Sequence, residues 1–416
     1  MNSLLLALTV LIFEFAPAEF YSWLVIAAAG LLVLAIRPKF FFSLRNPAAP
    51  LVGLLLIGMV FSLNNPLGAA AKDIWYLLKP IAIVSLGLMF AYMFRTDRRW
   101  IKNISVVLLI VSFANIVTAF SSDQLEGITA RPTSYAVAFL APFIWKYYPT
   151  KTVSALLFRV VIVLLAAAMI LISESRAALM TFGVGWLAAF GTLERGGRTL
   201  FVFGLLVFAI TALFPLLPQY DFQGARFLAK LQNSINEVMF ETGDTRLSMY
   251  RNWRGFEAHQ AYMTWIEASL PEKIVGLGHG SEINLARLVT FNEEGVESLH
   301  SIHNSYFALL VKTGVLGVVA FLAFMIRPFF AKRGVQSDDV EIYSRIVRGG
   351  ALALLLTSAL VSGPLNKTSL DGLLLIWSVA YGTMLFREGS LSRGRQVSSM
   401  LRSDLSGAIG GVAKTQ

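Results

Sequence analysis

The sequence predicts an all-α, polytopic membrane protein of about twelve transmembrane helices, with one large, mostly helical loop on the outer side. Three observations predict it. The 416 residues are 56% hydrophobic and only 14% charged, with a mean hydropathy of +0.66, values that soluble domains seldom reach. Apolar runs recur along nearly the whole chain, and about 20 apolar residues suffice to cross a bilayer as a helix. Basic residues then collect in every second connection, the asymmetry expected of loops held on the cytoplasmic side.

In chain order the spans fall at about 2–16, 20–36, 48–63, 74–94, 103–120, 133–147, 153–172, 176–193 and 200–217, which make residues 1–217 a first membrane unit of nine helices. Residues 218–301 form the large loop. Residues 302–386 hold spans ten to twelve, at about 304–326, 347–361 and 369–386, and 387–416 is a tail rich in Ser, Gly and Arg with the composition of a disordered segment. The first run lacks a basic start and a small-residue cleavage site, so it reads as a retained helix rather than a signal peptide. With the N-terminus in the cytoplasm, the inside connections carry, among others, Arg37, Arg95, Arg98, Lys146, Arg195, Arg327 and Arg345. The short outside connections hold only Lys72, Arg131, Arg176 and Lys367. A wrong span count would break this alternation, so both termini are expected inside and the loop outside.

The formal charge of +10 could suit nucleic acid, but basic cytoplasmic loops account for it. The absence of cysteine excludes disulfides, iron–sulfur clusters and thiol catalysis. No GxxxxGK[ST] loop and no nucleophile elbow is present, which argues against a cytoplasmic ATPase and a serine hydrolase.

Within the loop, Ala225–Met239 and Arg246–Leu270 have helix-like apolar spacing. Asp244 or Thr245 suits a cap, Pro271 an ending, and Gly276-Leu277-Gly278-His279-Gly280 a tight turn. At roughly 80 residues this subdomain is too small to stand comfortably alone, so it is expected to pack over the membrane helices.

Polar groups near apolar spans need an account. Ser173-Glu174-Ser175-Arg176 interrupts the run between spans seven and eight; Glu174 and Arg176 fit either a paired hairpin or an arginine that binds an anion through its fork of donors. Arg246, Tyr250 and Arg254 are spaced i, i+4, i+8 on one helix face. A solvated basic face would explain them, but the loop also holds eleven acidic residues, and an outward arginine stripe points to a local anionic partner. His303 and Asn304 open span ten, where an imidazole can anchor the helix or accept a proton near neutral pH. His300 lies three residues before and could share its face. With His279 the pair matches no strong metal spacing, and His259 reads as structural or exposed. Lys79 is near enough to the outer end of span four to face a cavity. Arg159 can snorkel, and Lys312 fits a structural role or a substrate contact.

His303-Asn304, nine residues, Gly314, two residues, Gly317 resembles the C-terminal signature of the O-antigen ligase and O-antigen polymerase superfamily. The outer loop, the glycine turn and Ser175-Arg176 agree with it. The resemblance implies a membrane-embedded, inverting glycosyltransferase of the bacterial inner membrane, with a periplasmic loop. It implies no metal and no cofactor. The donor would be a glycan on undecaprenyl pyrophosphate, and the acceptor another glycan or a glycolipid. By the same resemblance His303 activates the acceptor hydroxyl, and Arg176 and Arg246 hold the pyrophosphate. Arg254, Tyr250, His300, Asn304 and Lys79 are further candidates for substrate contact. The ligases' Arg, three residues, Leu pattern is not met, since Met180 follows Arg176 and Tyr250 follows Arg246 at that spacing. The Arg, ten residues, Gly pattern of some polymerases follows neither arginine, and an O-antigen or exopolysaccharide polymerase is favoured over a ligase that attaches glycan to lipid A core. A secondary transporter or lipid-linked sugar flippase is a further alternative, but the single asymmetric outer loop and the surface position of the polar cluster disfavour it.

Overall fold

The computed structural model describes residues 6, 9–11, 14, 47–93, 100–122, 133–148, 152–173, 175–195, 249, 252–291, 294–330, 338–360, 363–366 and 370–386. These are mostly helical. The helices are α1 (Ala49–Gly58), α2 (Leu67–Met93), α3 (Trp100–Ser122), α4 (Ser134–Tyr147), α5 (Val153–Ser173) and α6 (Arg176–Ala189). After these come α7 (Trp253–Glu267), α8 (Leu270–Val275), α9 (Ser305–Phe330), α10 (Asp338–Leu360), α11 (Gly363–Asn366) and α12 (Asp371–Phe386). Among the described residues, three helices are long and apolar enough to cross a membrane: Leu67–Met93, Val153–Ile172 and Ser305–Phe330. Shorter apolar helices lie at Ala49–Gly58, Asn103–Thr118, Arg176–Ala189 and Asp371–Phe386. The expected spans at 20–36 and 200–217 lie outside the described residues, as does the tail 387–416, and span 2–16 is described only in part.

Burial separates lining helices from central ones. Only 22% of the most apolar window of α5 is buried, with Leu156, Leu157, Leu164 and Leu171 exposed, whereas 67% of that of α2 is buried. An apolar helix whose side chains face outward is stable only against lipid, so α5 lies at the periphery of a membrane-embedded bundle. Helices α4 and α6 pack backbone to backbone: a Cβ on Gly185 would lie 2.5 Å from the Phe139 carbonyl oxygen. Small residues permit such contact where apolar burial alone cannot drive association. Helix α12 is buried along nearly its whole length. Trp377 Nε1 donates to the Val347 carbonyl at 2.8 Å, and Asp371 pairs with Lys79 of α2 at 3.2 Å.

The helix ends sort into two groups. At one end, the Ala189 carbonyl that terminates α6 accepts from Lys146 Nζ at 2.8 Å, Tyr147 Oη at 3.3 Å and Arg345 Nη1 at 2.9 Å. Cationic donors suit the carbonyl-rich end of a helix. The other end carries the start of α4, the start of α6, the start of α9 and the loop that precedes it.

In that loop the segment expected as one helix over Arg246–Leu270 is described as a helix from Trp253 to Glu267 followed by a second, short one. Helix α7 stops at Glu267, and Pro271 does not simply end it. Ser269 and Glu272 form a capping box, and Pro271 sits in the first turn of a new helix, α8, where a missing N–H costs nothing. Strands β1 (Ile283–Phe291) and β2 (Glu294–Leu299) then pair antiparallel, Ile283 opposite Leu299 and Phe291 opposite Glu294. An irregularity between Asn284 and Val289 contains Ala286 at φ 57°. Buried Leu285 and Val289 of β1 pack on Phe256 of α7 and on Met249. The hairpin is a strand pair that the apolar spacing did not indicate, and the expected helix Ala225–Met239 lies outside the described residues.

Candidate active site

Helix α9 begins at a designed stop. The Asn304 side-chain oxygen accepts from the backbone N–H of Tyr306 at 3.0 Å and of Phe307 at 3.3 Å, the geometry of an N-cap. His303 therefore stands just before the positive end of the helical segment that runs from Ser305 to the break at Gly314, a place that favours negative charge. Its imidazole is 35% exposed.

Glu257 of α7 holds it there. The Nδ1 of His303 lies 2.8 Å from Oε2 of Glu257, and the His303 backbone N–H donates to the same oxygen at 3.2 Å. The other oxygen, Oε1, accepts from Trp253 Nε1 at 2.7 Å. The carboxylate is 5% exposed. Since a carboxylate only accepts, Nδ1 carries the hydrogen, and a neutral imidazole so held keeps its lone pair on Nε2.

One turn before Glu257 on the same helix is Arg254. Its guanidinium lies close enough to Tyr135, at the start of α4, for its charge to act on the phenol. The Tyr135 hydroxyl is 3.5 Å from Ser175 Oγ, and Ser175 caps α6 by accepting from the Ala178 N–H. Arg176 is the first residue of that helix. The loop helix thus contacts the start of α9 through Glu257 and sets the charge of Arg254 near Tyr135 at the start of α4.

The glycine turn seats the loop. Gly276, Gly278 and Gly280 all have positive φ, near 84–91°. Gly314 breaks α9 with φ 62° and ψ −166°, so carbonyls before the break turn outward. The Leu277 N–H takes the Val311 carbonyl at 2.8 Å and the Gly278 N–H takes that of Lys312 at 3.2 Å. The Gly280 N–H donates to Asp73 Oδ2 at 2.7 Å, and Oδ1 of Asp73 pairs with Lys312. Asn65 Nδ2 donates to the carbonyls of Leu277 and His279 at 2.9 and 3.0 Å. His279 is fully buried; its backbone N–H meets the Gly58 carbonyl at 2.9 Å and its Nε2 donates to that of Leu55 at 3.1 Å. Burial pushes this imidazole below its ordinary range. A cavity of about 50 Å³ lies between the turn and α9, lined by Asp73, Tyr76, His279, Ser301, Ser305 and Lys312, among others. It has room for a few waters.

The expected site residues fall into three groups. His303 and Arg254 both adjoin Glu257, His303 through its ring and Arg254 along α7, with Asn304 as the cap that sets His303; Arg176 begins α6 beside Ser175. His300 pairs with Glu282 at 3.3 Å on the surface, the two side chains 46% and 40% exposed, and Lys79 is buried against Asp371. Arg246 and Tyr250 lie outside the described residues. Sequence reasoning missed Glu257 and Tyr135 as members of this cluster. The signal for Glu257 was present: it follows Arg254 by three residues on a helix-patterned segment, the spacing of one helix face.

The fold and this site define a membrane-embedded protein with a histidine–carboxylate pair at the start of one helix and Arg254 one turn from that carboxylate. Residues 161–322 match the model of the O-antigen ligase family, a stretch that contains Arg176, Arg254, Glu257, His303, Gly314 and Gly317. The match supports placing the chain in the O-antigen ligase and O-antigen polymerase superfamily, and it points to a glycan-transferring membrane enzyme of ligase or polymerase type. No curated protein matches the chain.

Proposed function

We propose that this protein transfers glycan from an undecaprenyl-pyrophosphate carrier to a sugar hydroxyl at the periplasmic face of the bacterial inner membrane. It does so as a polymerase of O-antigen or exopolysaccharide chains. The observation that carries this reading is the His303–Glu257 pair at the start of α9, with Arg254 one turn before Glu257 on α7.

The chemistry follows from those groups. A sugar hydroxyl is a weak nucleophile near neutral pH and needs a base within about 3 Å. His303 Nε2 accepts its proton as the hydroxyl oxygen attacks the anomeric carbon from the face opposite the leaving group. The bond from that carbon to the pyrophosphate oxygen breaks, and the electron pair leaves with the diphosphate. Attack from the opposite face inverts the anomeric centre. Arg176 and Arg254 neutralise the departing charge, with Arg246 as the further arginine of the loop, and guanidinium forks in a half-dry site do this well. Lipid tails stay between helices while sugars stay in water, so the reaction belongs at a helix-end position such as that of His303.

The ligase reading has its own support in the description of the matched family. A deletion strain decides between the two. Loss of a polymerase leaves single repeat units on the normal acceptor. Loss of a ligase leaves long lipid-linked chains with no attachment. Complementation with His303→Ala should reproduce the deletion with normal protein level and membrane insertion; retained transfer would remove His303 as the base.

A further inference from the structure

We propose that Glu257 is the positioning residue of the transfer reaction: its carboxylate fixes His303 in the Nδ1–H form, aims Nε2 at the acceptor, and faces the positive charge that the imidazole gains when it takes the hydroxyl proton. This rests on the reading of His303 as base.

Three donors converge on one carboxylate. Trp253 Nε1 reaches Oε1 at 2.7 Å; the His303 backbone N–H and Nδ1 reach Oε2 at 3.2 and 2.8 Å. Both oxygens are therefore used, and neither can be exchanged for a donor. The position is enforced from both sides. Trp253 lies one turn before Glu257 on α7, where i and i+4 residues share a face, and its ring packs on Phe256 at 5.6 Å between centroids. His303 is held by the Asn304 cap of α9. A buried carboxylate at 5% exposure is costly unless paired and hydrogen-bonded, and a surface loop helix has no packing need for it. The arrangement makes sense as a support for an imidazole that must stay neutral at Nε2, turn toward substrate, and become cationic during the reaction. A carboxylate behind a base does all three.

Glu257→Gln is the sharp variant because it keeps shape and removes one acceptor. An amide has one oxygen, so either Trp253 Nε1 or the two His303 donors must face an NH₂ group. If the amide nitrogen turns to His303, it donates to Nδ1 and moves the hydrogen to Nε2, which abolishes the base. Transfer can be measured with membrane vesicles from the deletion strain, which carry its own lipid-linked glycan, mixed with the full-length protein. The expected result is a fall in maximal rate of about tenfold to 10⁴-fold, with the half-saturating amount of vesicle donor unchanged and the size-exclusion profile of the solubilised protein unchanged.

The chain has only four histidines, so ¹⁵N-histidine spectra can read the tautomer directly, with His303→Ala to assign the signal. In the native protein at alkaline pH, His303 should show a protonated Nδ1 and a bare Nε2, and Glu257→Gln should disturb that pattern. A native His303 protonated at Nε2 overturns the proposal, even if Glu257→Gln does not fold. So does a Glu257→Gln protein with native rate while His303→Ala is inactive. If His303→Ala still transfers glycan, it is the assignment of the base that falls, and with it the role given to Glu257.

Discussion

Gly276 of the loop turn and Gly314 of α9 meet backbone to backbone. A Cβ on Gly276 would lie 2.3 Å from the Lys312 carbonyl carbon, and one on Gly314 would lie 2.3 Å from the Ile274 carbonyl oxygen and 2.5 Å from the Gly276 nitrogen. Both residues have positive φ, 84° and 62°. The contact gives a physical reason for a glycine ten residues after the His303-Asn304 pair. It breaks the helix so that the loop can hydrogen-bond to it, and it leaves no side chain in the way.

Replacement of Gly314 by Ala should therefore unseat the loop. A non-glycine residue at this φ costs of order 1–3 kcal/mol in strain alone, and the overlap with Ile274 adds to it. The solubilised variant should melt at a lower temperature, and the segment 270–280 should become a protease site. A melting curve and digestion pattern equal to those of the native protein would show that the turn is not held by this contact.

The Lys79–Asp371 pair bears on whether Lys79 touches substrate. Its side chains are 3% and 0% exposed. Removal of one partner from a buried ion pair costs about 3–5 kcal/mol, while replacement of both by apolar groups of similar size is close to neutral. Lys79→Met should be poorly stable, and Lys79→Met with Asp371→Leu should recover both stability and glycan transfer to within a few-fold. A stable double variant with no transfer would return Lys79 to the substrate.

Much of this arrangement was legible in the sequence, for particular reasons. The interruption of an apolar run marked Ser175-Arg176, and the onset of another marked His303-Asn304, because polar residues at the edge of a span are expensive without a purpose. Of the arginine stripe only Arg254 lies among the described residues, in the first turn of a helix that starts at Trp253. Glu257 was hidden because it is one of eleven acidic residues in the loop, and nothing local says that its partner is 46 residues away. The hairpin was hidden by its length and by its charge: Glu294 and Glu297 mask the alternation of a strand that buries only part of one face. Pro271 was ambiguous in principle, since the same residue that ends one helix can begin the next. Lys79 and Lys312 looked alike as lone cations in spans; their carboxylate partners, Asp371 and Asp73, come from distant helices.

The arginines make a separate prediction. If Arg176 and Arg254 grip a diphosphate, lysine cannot replace them, since it offers a point charge where a planar fork is needed. Arg176→Lys and Arg254→Lys should each lower transfer by at least about tenfold, the worth of one lost charge-assisted hydrogen bond of roughly 1.5–3 kcal/mol. Protein level and His303 spectra should be unchanged. Native activity in both variants would mean that their charge serves the surface and not the reaction.

The buried His279 should give the loop a pH-dependent grip. Burial, the largest influence on it, lowers its proton affinity below the usual value of 6.5; the Lys312 ammonium acts in the same direction, while the Leu55 carbonyl and the Asp73 carboxylate oppose them. The unfolded chain therefore takes up a proton first as the pH falls. Stability from this residue is fully present above about pH 6.5 and declines below it until the folded protein can also bind the proton. The melting temperature of the solubilised protein should fall on acidification through that window, and His279→Asn should lower it at neutral pH but flatten its dependence on pH. A slope identical in the two proteins would assign the acid sensitivity to other groups.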